Sequence, residues 1–130
     1  MTDRDGIVLG PLEQHRDERG SVFEPLTAGA LAGQRNAHMV LTDAGHVRGN
    51  HYHTRGTETM AVQGPALVRY RSDGETRDVT VEAGDVVLFR FPAHIPHAVR
   101  YDGDGQGLIV AFRDVPHDPS SADTVRDVLI

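Results

Sequence analysis

The chain has 130 residues, the length of one domain, and its 13 basic side chains, all arginine, stand against 19 acidic ones for a net charge of −6. Cysteine and lysine are absent, which excludes disulfides, thiolate chemistry, Schiff-base catalysis and a lysine-bearing phosphate loop. The acidic balance argues against nucleic acid as a partner. The longest apolar run, Leu108–Phe112, is far too short to span a bilayer, and the acidic N-terminus has no signal-peptide pattern, so a cytoplasmic protein with no membrane contact is expected. What stands out is histidine: there are 8, and 6 of them fall between His38 and His97.

Apolar and alternating segments of strand length are broken by Gly, Pro, Asp and Asn about every ten residues. In chain order, strands are predicted near Ser21–Leu26, Arg35–Thr42, Val47–His53, Thr57–Gln63, Ala66–Arg71, Thr76–Val81, Val86–Phe91, His97–Tyr101 and Leu108–Arg113. Asp73-Gly74 and the segment Glu82–Asp85 read as turns, and residues 102–107 as a hairpin loop. After Pro119, Ser120 or Ser121 could cap a short C-terminal helix with Val125, Val128 and Leu129 on one face. The expectation is one all-β domain over residues 1–130. Its barrel or sandwich core covers about 19–115, and a tail over 116–130 is helical in part.

His51 and His53 are two residues apart on a predicted strand, so their imidazoles share a face. Glu58 follows a turn at Gly56, on a strand able to pair back beside them, and His97 opens a later strand. Three imidazoles and a carboxylate suit a divalent metal such as zinc, iron(II), manganese or nickel, with positions left open for water or substrate. Tyr101 shares strand parity with His97, which makes it a candidate proton donor or a core aromatic with a backbone partner. His94, in a Pro-rich turn, is a second candidate base. His38 is a substrate-binding candidate if its strand has the right register, and otherwise a surface or satisfied core histidine rather than a base. Arg69 and Arg71 share a strand face and could clasp an anion or lie in solvent.

These residues resemble the two motifs of the cupin superfamily. Gly45, His51, His53 and Glu58 fit the first, with Gly64 one residue early. Gly84, Pro92 and His97 fit the second, with His94 in place of a glycine and Tyr101 in place of an asparagine. The resemblance implies a small jelly-roll β-barrel with metal inside, usually a homodimer. The stretch Asp17–Glu24 is similar to a strand of the dTDP-4-keto-6-deoxyhexose 3,5-epimerases, and Arg48-Gly49-Asn50-His51-Tyr52 to their Arg-Gly-Leu-His-Tyr motif. In that family the arginine contacts substrate and the histidine is the base. Placing Arg48 in a pocket with His51 requires a bulge at Gly49, because their parity differs. Residues 48–58 also resemble the zinc-binding C-terminal cupin domain of reductase/epimerases of capsular-polysaccharide synthesis. Because His53 and Glu58 complete a ligand set here, His51 reads as a ligand rather than a free base.

Both resemblances imply proton transfer beside a carbonyl; the 3,5-epimerases need no metal for it, but a metal held by the ligand set here, zinc favoured, would stabilise the oxygen. The expected substrate is a small molecule, a 4-keto nucleotide sugar of polysaccharide or natural-product biosynthesis. The rival readings are an iron-dependent cupin dioxygenase, a natural-product tailoring enzyme or cyclase, and a non-catalytic small-molecule-binding cupin.

Overall fold

The computed structural model describes residues 5–130. Among these residues twelve strands and one short helix follow in chain order. They are β1 (Val8–Pro11), β2 (His15–Asp17), β3 (Gly20–Val22), α1 (Ala28–Ala32), β4 (Asn36–Asp43), β5 (Val47–His53) and β6 (Glu58–Gln63). After them come β7 (Ala66–Ser72), β8 (Glu75–Val81), β9 (Val86–Phe91), β10 (His97–Tyr101), β11 (Gln106–Arg113) and β12 (Thr124–Arg126). Two five-stranded antiparallel sheets, β1-β9-β6-β11-β4 and β12-β5-β10-β7-β8, pack face to face, and β2-β3 forms a separate hairpin. This is the expected all-β cupin jelly roll.

Alternation places the core. In β7 the residues Ala66, Val68, Tyr70 and Ser72 are buried and those between them are not. They meet Met60, Val62, Phe89, Phe91, Val99 and Ile109 between the sheets. The turn from β7 to β8 is Asp73-Gly74, both at positive φ (53° and 75°), as a two-residue hairpin requires. β6 is the middle strand of its sheet and is buried on both faces, so it reads as a continuous run rather than an alternating one.

Three expectations are corrected. The C-terminal segment is not helical: β12 pairs antiparallel with β5, Thr124 opposite His53 and Arg126 opposite His51. Strand pairing satisfies its backbone where a lone helical turn would not. The core also begins before residue 19, because Ile7 and Val8 are buried in it and β1 pairs with β9. The stretch 21–26 is strand only to Val22, and a helical turn, α1, follows with Thr27 capping Ala30. Among the described residues no helix is long and apolar enough to cross a membrane.

Candidate metal centre

Four side chains converge at one end of the barrel. One potential ligand atom from each of His51, His53, Glu58 and His97 lies within 4.8 Å of the others. β5 supplies two of them by its period of two, β6 supplies Glu58, and the start of β10 supplies His97, which sits opposite His51 across the strand pair. Glu58 is 5% exposed at its side chain, with Oε1 3.1 Å from His97 Nε2 and 3.7 Å from His53 Nε2. Burial opposes its ionisation, but the neighbouring His53 and His97 hold its carboxyl well below the usual range. Burial, with the adjacent His97 and His53, pushes His51 down to about 4.

The donor set fits a cation on two observations. His97 Nδ1 is 2.9 Å from the Ile95 carbonyl, which can only accept, so that nitrogen carries the proton. Its Nε2 lies 3.1 Å from the Glu58 carboxylate, a contact that needs a proton or a metal ion between the two atoms. His53 Nε2 is buried with no hydrogen-bond partner, a costly state unless it is a ligand. The group could therefore hold a metal. Its mounting is stiff: Phe91 stacks on the His97 ring at a centroid distance of 4.2 Å and 7° between planes.

Two cavities meet at this cluster. The inner one, about 410 Å³, lies inside the barrel, with apolar walls that include Val40, Met60, Val99 and Ile109. The outer one, about 640 Å³, is bounded by Arg55, Arg113 and the tail residues 116–119 and 122–124. His38, His51 and Glu58 line both.

The other sequence candidates divide. Arg48 lines the inner cavity. The pairing of β5 with β10 slips between His97 and Ala98, so His51 faces His97 while Arg48 faces Val99. This is the bulge the parity argument required. Gly49 (φ 87°) and Asn50 (φ 57°) form it. The Arg48 guanidinium donates to the Leu41 carbonyl (2.9 Å) and the Thr42 hydroxyl (3.3 Å). His38 is brought in too, with Nε2 3.7 Å from Glu58 Oε2 and a side chain 43% exposed.

Three candidates are not in the site. Tyr101 faces inward but lies at the far end of β10 from His97, about 13 Å away at strand rise. Its hydroxyl donates to the Asp104 carbonyl (3.1 Å), the core-aromatic alternative. His94 is an exposed loop residue at φ 67°, and its ring packs 5.8 Å from Tyr52 on the outer face of the sheet. Tyr52 alternates with His51 and His53, so its partner is on the wrong side. Arg69 is outward as well, bound to Asp78 (2.7 and 2.9 Å) and to the Leu129 carbonyl (3.0 Å). Arg71 pairs with Asp127.

Sequence reasoning missed Arg113, Asp123 and Thr124. Arg113 is 8% exposed and donates to Asp123 Oδ2 (2.6 Å) and the Arg55 carbonyl (2.9 Å). Burial opposes the ionisation of Asp123, but Arg113 holds its carboxyl below its ordinary value. The only signal for Arg113 was a charge closing an otherwise apolar strand.

The chain is similar to proteins of known name over most of its length. It is 22% identical over 108 residues to a 3-hydroxyanthranilate 3,4-dioxygenase of Xanthomonas campestris, covering 82% of this chain and 58% of that one. It thus spans under two-thirds of the curated relative. The dTDP sugar isomerase of Desulfovibrio desulfuricans G20 superposes with a TM-score of 0.74 at 20% identity, over 90% of this chain and 80% of that one. The capsular polysaccharide assembling protein CapF of Staphylococcus aureus superposes with a TM-score of 0.66 at 23% identity, over 92% of this chain and 35% of that one. Residues 15–125 match the family described as the polysaccharide biosynthesis C-terminal domain, and on that match the chain belongs to this cupin-like family.

Proposed function

We infer that this protein is a metal-dependent isomerase or epimerase that moves a proton beside a carbonyl, its substrate a 4-keto nucleotide sugar. The observation that carries the reading is the four-ligand cluster at the junction of two cavities, with Arg48 and His38 on the walls. The dTDP sugar isomerase and CapF share the fold; the first is named for this chemistry, the second for capsular-polysaccharide assembly. His51, His53, Glu58 and His97 would hold the ion; the donor set itself does not select one metal, and zinc is favoured on the motif's resemblance to a zinc-binding cupin domain. Bound there, it supplies Lewis-acid stabilisation of charge developing on the carbonyl oxygen.

The remaining steps belong to the chain. Arg48 is held by Leu41 and Thr42 through Nε and one terminal nitrogen, which leaves other N–H groups to orient an anionic or carbonyl substrate. His38 is the group able to take a proton from the α-carbon, since its ring borders both cavities and its Nδ1 is oriented by Asn36 Oδ1 at 3.1 Å. Reprotonation from the other face epimerises that carbon; where the carbon bears a hydroxyl, reprotonation of the former carbonyl carbon, with the hydroxyl proton passing to the former carbonyl oxygen, moves the ketone. The apolar inner walls limit competing water. Incubation with dTDP-4-keto-6-deoxyglucose in deuterated buffer should give metal-dependent deuterium incorporation beside the ketone. Its absence in zinc-loaded protein overturns the reading.

We also propose that the protein is a homodimer. β4 is a sheet edge that presents Met39 (74% exposed) and Leu41 (54% exposed) to solvent, which suits burial against a second copy.

A second reading has its own support. The curated relatives that the chain matches are named as dioxygenases, and an iron(II) ion on the same ligands would leave positions for substrate and oxygen. Oxygen uptake with 3-hydroxyanthranilate and iron-loaded protein, without deuterium exchange on the sugar, would establish it over the first.

A further inference from the structure

The C-terminal strap, residues 118–130, is tied to the barrel along its length. Arg55 donates to the Ser121 carbonyl and Thr54 N to the Asp123 carbonyl. Arg71 pairs with Asp127, and Asn50 Oδ1 receives the backbone N–H groups of Leu129 and Ile130. Between these anchors the strap delivers two polar side chains to one ring. Thr124 Oγ1 is 3.3 Å from His53 Nδ1, and Asp123 Oδ1 is 3.7 Å from the same nitrogen. The other nitrogen of that ring, Nε2, is buried, has no hydrogen-bond partner and points at Glu58 Oε1.

We propose that Thr124 and Asp123 are positioning residues of the metal centre, acting through His53. The Thr124 hydroxyl accepts the proton on Nδ1, which fixes the tautomer whose Nε2 lone pair faces the cluster. The Asp123 carboxylate lies beyond hydrogen-bond length and favours the same arrangement by its charge. Asp123 is itself held by buried Arg113 at 2.6 Å and by Arg55 at 3.7 Å, so it cannot swing away without leaving a buried guanidinium unpaired. A ligand histidine whose second nitrogen is held in this way keeps its orientation and basicity, and losing such a partner typically weakens metal binding 10- to 100-fold. The strap is thereby a working wall of the site. It closes the outer cavity, and its register on β5 sets Thr124 against one ligand and Arg126 against another.

The inference rests on reading the four residues as metal ligands, and the test separates the two. Zinc affinity of the full-length protein is measured by competition with a chromophoric chelator, and the absorption spectrum of the cobalt(II)-loaded form is recorded alongside. Thr124→Val should weaken zinc binding about 10- to 100-fold and alter the cobalt bands, while Thr124→Ser restores both. Asp123→Asn should weaken binding in the same direction. Because Asp123 also holds Arg113, its variant could lose the fold, and the Thr124 pair then carries the test. Val125→Ala, whose side chain faces away from His53 on the same strand, should leave affinity unchanged.

Unchanged affinity and spectrum in Thr124→Val overturn the proposal and leave the ligand assignment standing. Equal weakening by Val125→Ala, with no rescue by serine, also overturns it, since the strap would then act only by holding the fold together. Failure of the wild-type protein to bind zinc or cobalt overturns both.

Discussion

Replacing Gly49 by alanine probes the bulge on which the site depends. Gly49 sits at φ 87°, and a Cβ there would lie 2.7 Å from the His97 carbonyl oxygen and 3.2 Å from Ala98 Cα, both backbone atoms of the paired strand. Left-handed backbone costs a non-glycine residue about 1–2 kcal/mol. The contact adds overpacking against a strand that cannot yield as a side chain would, worth about 1–3 kcal/mol. The sum, about 2–5 kcal/mol, is a large share of the stability of a domain this size and corresponds to a melting-temperature drop of roughly 10–20 °C. Gly74→Ala is the matched control: its φ is 75°, but nothing lies within 4 Å of its Cβ position, so only the backbone cost of about 1–2 kcal/mol applies. Urea denaturation of both variants at neutral pH reads the difference, and zinc titration of Gly49→Ala reads the displacement of His97 or His51. Equal losses in the two variants would falsify the claim that close approach of β5 and β10 holds the bulge.

Four further outcomes follow from the geometry. Glu58→Gln should weaken zinc binding by at least the 10- to 100-fold that loss of an outer partner gives, measured by chelator competition, because a neutral amide replaces the one anionic member of the cluster. In metal-free protein His51 should titrate near 4 in an NMR titration; its folded pKa is depressed, so the unfolded chain takes up the proton first, and stability falls as pH drops from about 6.5 to about 4. Phe91→Leu should cost about 1–3 kcal/mol by denaturation and lower zinc affinity as well, since the ring stacked on His97 is lost; a stability change with unaltered affinity refutes the second part. Tyr101→Phe should lose about 1 kcal/mol of stability with zinc binding and deuterium exchange unchanged, because its hydroxyl serves only the Asp104 carbonyl.

The sequence by itself determined the all-β fold class and picked out the four residues that converge, the first by local rules and the second by motif spacing. Side chains alternate along a strand, so His51 and His53 must share a face, and turn residues mark where each strand ends. Even the bulge at Gly49 was legible, once the motif resemblance put Arg48 in the pocket with His51 against their strand parity. What only the tertiary structure decided was non-local. Tyr101 has the parity of His97, and nothing in β10 alone says that the cavity lies at one end of the strand and a packed core at the other. His94 follows the same chain into a loop that turns to the outer face. The tail carries apolar residues at helical spacing, but the free edge of β5 offered its backbone strand pairing over Thr124–Arg126, and pairing overrode local propensity. That docking put Asp123 and Thr124 beside His53, 70 and 71 residues away in sequence, a contact that no period within the chain encodes.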